Sequence, residues 1–145
     1  MARTGRPRSF DTDEALDKAM RLFWTEGCEG ASLNELSEAM GINRRSIYAA
    51  YGNKEQLFRK AVDRYLEGPG AFVAEALEQP TARAVAETML HGCADAYTTR
   101  GCPRGCLLVQ SALACGPEGE PARRDLVPRQ ATFAPSRRPA RSPTA

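Results

Sequence analysis

Side chains suited to contact with nucleic acid are concentrated in one short segment of the chain. A guanidinium group can donate two parallel hydrogen bonds to the edge of guanine, and a phenol can donate to a phosphate or pack on a sugar. On a helix, Ile47 and Ala50 would face inward and leave these polar groups outside. The pattern predicts a helix that contacts DNA, with a solvated helix face as the alternative. The outward residues are Arg44, Arg45 and Tyr48, and Tyr51 is a further candidate for contact with phosphate or sugar.

Further polar residues flank this segment at positions that favour contact with the DNA backbone. Lys54 opens the next predicted helix, where its charge adds to exposed amide groups. Ser32 and Asn34 open the preceding helix and can touch the backbone from the other side. A basic arm precedes all of these elements and can lie in the adjacent minor groove. Its cations are Arg3, Arg6 and Arg8.

The elements that must position these residues are predicted by capping patterns. Each start has a capping residue, and at three starts a Glu or Gln follows three positions later. The predicted starts are Asp11, Ser32, Asn43 and Asn53, with Glu14, Glu35 and Gln56 as capping partners. Gly27, Gly41 and Gly52 are the predicted stops. Two short helices joined by a tight turn form a helix-turn-helix, so residues 10–67 are expected to be a DNA-binding domain.

The rest of the chain predicts a second helical region. Gly68-Pro69-Gly70 interrupts the helical pattern and marks a boundary. Helices are expected at about 71–78 and 81–99, and Pro103 is expected in the first turn of a last helix that ends near Gly116. The predicted fold class is therefore all-α, with no convincing strand.

The predicted divisions also include two terminal segments. Residues 1–9 are expected to be a flexible basic arm, and residues 71–127 a partial helical domain for effector binding and dimerisation. Residues 128–145 are rich in Pro and Arg and are predicted to be disordered.

Composition limits the possible functions. The 145 residues have a net charge of +2 and 42% hydrophobic content, as expected for a globular protein without a global basic field. The first residues do not form a signal peptide, and the longest apolar stretch is too short to span a bilayer. A cytoplasmic protein with reduced cysteines and no membrane association is expected.

Catalytic patterns are not evident. The chain has one His, no Gly-rich phosphate loop, no nucleophile elbow and no paired carboxylates in a cleft-like setting. We therefore expect a protein that is not an enzyme and needs no cofactor.

The cysteines leave a second interpretation open. Cys102 and Cys106 are four residues apart, and His91 and Cys93 lie upstream. Thiolate and imidazole ligands suit Cu(I) or Zn, and a thiol beside arginines is a candidate oxidant sensor. The spacing matches no strong metal motif, so no metal site is assigned. A role as small buried hydrophobes is the alternative.

Residues 10–58 resemble the DNA-binding domain of the TetR family of bacterial transcriptional regulators. The resemblance covers about a third of the chain. It departs from the family where a histidine often precedes the last aromatic of the recognition helix, because Ala50 stands there. The matching residues are Ala19, Phe23, Gly27, Gly30, Ser32-Leu33, Gly41-Ile42-Asn43, Ser46-Ile47-Tyr48, Tyr51 and Asn53-Lys54-Glu55-Gln56-Leu57-Phe58.

The resemblance implies an all-α homodimer that binds a palindromic double-stranded operator and represses transcription until a small-molecule effector releases it. It assigns DNA contact to Arg44, Arg45, Ser46, Tyr48, Tyr51 and Lys54. Residues 101–109 resemble a Gly-Cys-Leu element of some members. The family pattern places two long C-terminal helices after Glu118-Gly119-Glu120, and residues 122–126 fit the beginning of one before the sequence becomes rich in Pro and Arg. The alternative is a truncated or frameshifted fragment that does not dimerise and binds DNA weakly and without specificity.

Overall fold

The computed structural model describes residues 10–113 and residue 124. Within these residues there are seven helices and no strand, which confirms the predicted all-α class. The basic arm at 1–9, Cys115, the predicted helix end near Gly116 and the tail at 128–145 lie outside the described residues. The helices are α1 (Thr12–Gly30), α2 (Leu33–Met40), α3 (Arg44–Tyr51), α4 (Lys54–Glu67), α5 (Phe72–Leu77), α6 (Ala82–Thr98) and α7 (Leu107–Leu113).

The first four helices, called the N-terminal unit below, begin at the predicted capping residues. Ser32 and Asn53 form complete capping boxes with Glu35 and Gln56. At α1, Asp11 accepts from two backbone N–H groups, but the Glu14 carboxylate lies 2.7 Å from the Lys18 ammonium instead of completing a box. Such caps satisfy N–H groups that have no partner within the helix, so local sequence determines where these helices start.

Large aromatic side chains hold the N-terminal unit together. Phe23 of α1 meets Phe58 of α4 edge to face, with ring centroids 5.2 Å apart. Trp24 of α1 and Tyr65 of α4 repeat this geometry, with ring centroids 4.9 Å apart. Edge-to-face pairs add about 0.5–1.5 kcal/mol each to the free energy gained by burying the rings. The α1–α4 contact is therefore the centre of the fold.

An ion pair closes the solvent-facing side of the same helix contact. The Arg64 guanidinium donates to both carboxylate oxygens of Asp17, at 2.8 and 3.1 Å. This hydrogen bonding to Asp17 raises the pKa of Arg64. The pair joins α4 to α1 beside their aromatic contacts.

Helix α7 begins later than the sequence predicts. Pro103 was expected in its first turn, but the helix starts at Leu107. Gly105 has φ of +83°, a left-handed conformation that a right-handed helix cannot include. The Gly105 carbonyl accepts a hydrogen bond from Trp24 Nε1 at 2.8 Å, which ties this loop to α1.

Helix α7 shares the core of the N-terminal unit. Leu107 and Leu108 are buried in the same hydrophobic cluster as Phe23, Trp24 and Tyr65. A segment that the sequence places beyond the boundary at 68–70 therefore packs directly on α1 and α4.

Helices α5 and α6, called the α5–α6 pair below, pack mainly on each other. Their bounds agree with the predicted 71–78 and 81–99 to within about two residues. Gly92 faces the Phe72 ring so closely that an added Cβ would lie 2.3 Å from it. Helix α6 has no fully buried residue, and Leu90 is 70% exposed. No helix in the described part of the chain is long and apolar enough to cross a membrane.

Candidate nucleic-acid interface

Helix α3 is held to the N-terminal unit by one face. The Asn43 side chain accepts from the Ser46 N–H at 2.8 Å and fixes the start of the helix. Ile47 is fully buried and Tyr51 is 5% exposed, so positions four apart anchor the inner face. The predicted inward orientation of Ile47 is confirmed.

The outer face of α3 presents the predicted polar side chains together. Arg44 and Arg45 are exposed in the first turn, Tyr48 is 48% exposed one turn further, and Ser46 is partly buried at the edge. The first turn of α3, all of which the structure describes, contains no acidic residue. Two guanidinium groups and a phenol therefore project from one surface of the recognition helix.

Arg44 has a polar partner on the preceding helix. Its guanidinium donates a hydrogen bond to the Asn34 side-chain oxygen of α2. The structure thus brings together two residues that the sequence predicted separately. Sequence spacing does not reveal this pair, because the two residues lie ten positions apart across a turn.

The Ser32–Glu35 capping box at the start of α2 lies within electrostatic range of Lys54 at the start of α4. The Ser32 hydroxyl donates to the Glu35 carboxylate at 2.6 Å and accepts from the Glu35 N–H at 3.2 Å. The hydrogen bonds that the carboxylate accepts from the Ser32 hydroxyl and the Ser32 N–H, followed by the positive charge of Lys54, lower the pKa of Glu35. Glu35 therefore lies ionised among predicted phosphate contacts. The sequence identified it only as a capping residue, although a carboxylate repels phosphate.

Tyr51 is placed differently from the other predicted contact residues. Its hydroxyl donates to the Thr12 carbonyl at 2.6 Å, and its ring lies 5.7 Å from the Lys60 ammonium. A phenol has one proton to donate, and here that proton binds α1. Its spacing of four from Ile47 is the signal that places it on the inner face.

Two cations that the sequence analysis did not single out lie next to Tyr48. Arg59 and Lys60 of α4 are exposed and line a shallow groove of about 460 Å³ with Tyr48, Tyr51 and Gln56. They extend the positive charge beyond the C-terminal end of α3. The sequence could have indicated these two residues, because they are cations on the helix that follows the recognition helix.

The remaining predicted site residues lie elsewhere. Cys102 and Cys106 are partly buried and pack against the core. Within residues 10–113, no group of three or more His, Cys, Asp or Glu side chains is arranged to hold a metal ion. Arg3 and Arg6 belong to the arm outside the described residues.

This fold and this exposed helix define a helix-turn-helix protein of the DNA-binding class. Residues 15–61 match the family model described as bacterial regulatory proteins, tetR family. The chain belongs to the TetR family, and it superposes on a solved member at 43% identity over 67% of that member's chain.

That solved member is the TetR family transcriptional regulator CifR, in a cysteine-mutant form complexed with 26-bp double-strand operator DNA. The match has a TM-score of 0.80 and covers 88% of the present chain. The relative therefore shares both the fold and much of the sequence.

Curated relatives are also similar. The HTH-type transcriptional repressor ComR of Escherichia coli (strain K12) is 37% identical over 116 residues, which are 79% of this chain and 55% of ComR. The repressor BdcR of the same organism is 32% identical over 108 residues, covering 73% of this chain and 54% of BdcR. The chain spans about half the length of these two relatives.

Proposed function

We propose that this protein is a sequence-specific transcriptional repressor that binds a palindromic operator as a homodimer, with α3 in the major groove. The observation that carries the proposal is the pairing of an exposed face bearing Arg44, Arg45 and Tyr48 with a fully buried opposite face at Ile47. A reading helix needs such a rigid support, because base contacts depend on exact placement. Membership of the TetR family and the repressor relatives support it.

The proposed contacts divide into two classes. Arg44 and Arg45 contact base edges, where a bidentate bond to guanine discriminates by about 1–3 kcal/mol. Backbone contacts come from the surrounding residues and set the register of the protein on the duplex. These residues are Ser32, Asn34, Ser46, Tyr48 and Lys54, together with Arg3 and Arg6 of the arm.

Binding exchanges one set of hydrogen bonds for another. In the free protein Arg44 donates to Asn34, so contact with guanine either breaks this bond or uses the remaining donors of the guanidinium. Tyr51 acts as a positioning residue, since its hydroxyl joins α3 to the start of α1.

Release by a small-molecule effector is the second part of the proposal. An open groove of about 720 Å³ lies between α5 and α6, and Glu75, Glu87, His91 and Asp95 are among its lining residues. This lining suits a cationic or hydrogen-bonding molecule. The expected location is the cytoplasm, where a bacterial chromosome is accessible.

Fluorescence anisotropy on duplex DNA from upstream of the protein's own gene tests the proposal. Scrambled competitor and a salt series separate specific from non-specific binding. Tight, competitor-resistant binding, with a dimer in sedimentation, is the expected result. Weak, salt-sensitive binding to every duplex would overturn the proposal in favour of a fragment that does not dimerise.

A further inference from the structure

A groove lined by cations follows the C-terminal end of α3. It has a volume of about 460 Å³ and lies between the last turn of α3 and the outer face of α4. Two exposed cations of α4, Arg59 and Lys60, line it together with Tyr48 and Gln56. Every described residue that lines it is neutral or cationic, so the groove, called the Lys60 groove below, has a positive lining.

The two helices contribute differently to the Lys60 groove. On the α3 side, Ala49 and Ala50 offer only methyl groups, which leave space above them. On the α4 side, the Gln56 carboxamide is held by a capping box, in which its oxygen accepts from the Asn53 N–H at 3.0 Å. The NH2 group of Gln56 is therefore the part that remains for a ligand. The space is open, and α4 supplies its polar wall.

The polar groups around the Lys60 groove are chiefly hydrogen-bond donors. The lysine ammonium and the arginine guanidinium carry donors and no acceptor. Gln56 adds its NH2 group, and Tyr48 adds a phenol proton. Donors with positive charge match a ligand that accepts several hydrogen bonds and is negatively charged. A phosphate of a nucleic-acid backbone has both properties.

Lys60 is supported by the core of the N-terminal unit. Its ammonium lies 5.7 Å from the centroid of the Tyr51 ring, within the range of a cation–π contact. Tyr51 is 5% exposed, and its hydroxyl donates to the Thr12 carbonyl of α1 at 2.6 Å, so the ring is fixed in place. In the described part of the chain this ring, and not a carboxylate, is the partner of Lys60. The positive charge of Lys60 is therefore left for a ligand.

The Lys60 groove continues the proposed DNA-facing surface. Tyr48 belongs to both, because it lies on the outer face of α3 with Arg44 and Arg45 and also lines the groove. The eight residues of α3 span about 12 Å, which is about the width of the major groove. With the first turn of α3 at base edges, the Lys60 groove at the other end of the helix comes near a phosphate backbone.

We propose that the Lys60 groove binds one phosphate of the DNA backbone, with the Lys60 ammonium as the main contact. This phosphate contact rests on the proposed function and extends it, because the other proposed contacts lie on α2, on α3, at the start of α4 and on the arm. Arg59 is a lesser contact, since Asp63 is its neighbour four positions along α4 and offsets its charge. A phosphate contact carries no sequence information, so it fixes the register of the protein on the duplex.

The salt dependence of DNA binding by the full chain tests this contact. Lys60→Ala should lower the slope of log affinity against log salt by about one unit, on operator and on scrambled duplex alike. Between about 50 and about 200 mM salt, the variant should therefore lose about threefold less affinity than the wild-type protein. Lys60→Arg keeps the charge and should retain the slope. Lys18→Ala is the matched control and should leave the slope unchanged, because the Lys18 ammonium pairs with Glu14 at 2.7 Å on α1.

Uncharged phosphate analogues in the DNA identify the phosphate that Lys60 contacts. Single methylphosphonate groups, in which a methyl replaces one charged oxygen, are placed at successive positions of the operator duplex. Each position that the wild-type protein contacts should weaken binding when it is neutralised. The Lys60→Ala variant should lose this sensitivity at one position and keep it where Lys54→Ala loses it. The double variant should lower the salt slope by about two units, because the two lysines contact different phosphates.

Three results would each overturn the phosphate contact at Lys60. They are an unchanged salt slope in Lys60→Ala, an equal loss in Lys18→Ala, and a methylphosphonate map identical to that of the wild-type protein. A loss of slope that also occurs in Lys60→Arg would overturn it too, because the packing of Lys60 on Tyr51, and not its charge, would then be the cause.

The proposed function has separate outcomes in the same titrations. If the wild-type protein binds operator and scrambled duplex equally, sequence-specific repression is wrong, while the slope of Lys60→Ala still tests the phosphate contact. If the wild-type protein binds no duplex, both proposals are wrong. If it prefers the operator and Lys60→Ala leaves the slope unchanged, only the phosphate contact is wrong.

Discussion

The N-terminal unit and the α5–α6 pair differ in how much of their surface they bury. In the N-terminal unit Phe23, Trp24 and Phe58 are each at most 1% exposed, and α7 adds Leu107 to the same cluster. Helix α6 buries no residue fully, although it is seventeen residues long. The proposed recognition helix therefore rests on a dense core, whereas the α5–α6 pair is held mainly by its own contacts.

This difference indicates how stability is distributed. Regions with few buried apolar contacts open at lower free energy than a packed core. A DNA-contacting helix needs fixed geometry, whereas a region that responds to a ligand needs alternative conformations of similar free energy. The N-terminal unit has the packed core that fixed geometry needs, and the α5–α6 pair has fewer buried contacts.

The largest expected effect comes from removing a core ring. Phe58→Ala deletes the partner of Phe23 and should lower the free energy of unfolding by about 3–5 kcal/mol. Leu90→Ala removes an exposed apolar side chain of α6 and should change it by less than about 0.5 kcal/mol. Urea unfolding followed by circular dichroism measures both. Equal losses of unfolding free energy in the two variants would contradict the difference in packing between the N-terminal unit and the α5–α6 pair.

A substitution at Gly92 tests the α5–α6 pair separately from the N-terminal unit. Gly92→Ala places a Cβ 2.3 Å from the Phe72 ring and 2.7 Å from the Phe72 Cβ, so α5 must move, at a cost of about 1–3 kcal/mol. Hydrogen exchange should rise in peptides from residues 72–98 and stay unchanged in those from 12–67. Faster exchange throughout the chain would show that the two regions unfold as one.

Specific DNA affinity should depend on the arginines of one region only. Arg45→Ala should reduce discrimination between operator and scrambled duplex by about 1–3 kcal/mol. Arg83→Ala is the matched control, since Arg83 is an exposed arginine of α6 paired with Glu87 at 2.8 Å. Anisotropy titrations of both variants on both duplexes measure the difference. A similar loss from Arg83→Ala would mean that general charge, rather than α3, provides the specificity.

Lys54→Ala should weaken binding to all duplexes by a similar factor. It removes a proposed phosphate contact, so the slope of log affinity against log salt should fall by about one unit. A salt series on operator and scrambled duplex gives both slopes. A change in sequence preference would instead place Lys54 at a base edge.

The smallest effect concerns the charge of Glu35. Hydrogen bonds from Ser32 lower the pKa of this carboxylate below its ordinary value, so the charged form stabilises the fold at pH values above that ordinary pKa. The contribution is lost as pH falls through the lowered pKa. Glu35→Gln keeps a capping side chain without the charge. The urea midpoints of the two proteins should therefore differ at neutral pH and converge in acid, and a constant difference would exclude the charge as the cause.

Several features could be predicted from local sequence because they depend on neighbours along the chain. The caps at Asp11, Ser32, Asn43 and Asn53 are confirmed. A cap needs only a side chain and an N–H two or three residues away. The burial of Ile47 follows from helical spacing for the same reason.

Other features were mispredicted or missed because they depend on contacts between distant residues. Helix α7 starts at Leu107 and not near Pro103, since Gly105 accepts from Trp24 and takes a left-handed conformation.

By itself, the sequence determined the helical class, the helix starts of the N-terminal unit and the family, because caps, periodicity and a family pattern are local properties of the chain. Tertiary structure alone decided that Tyr51 supports α1, that Arg44 meets Asn34, and that α7 completes the N-terminal core. Each of these contacts joins residues that are separated along the chain. Their meeting depends on how the helices pack, and packing is settled only when the core forms.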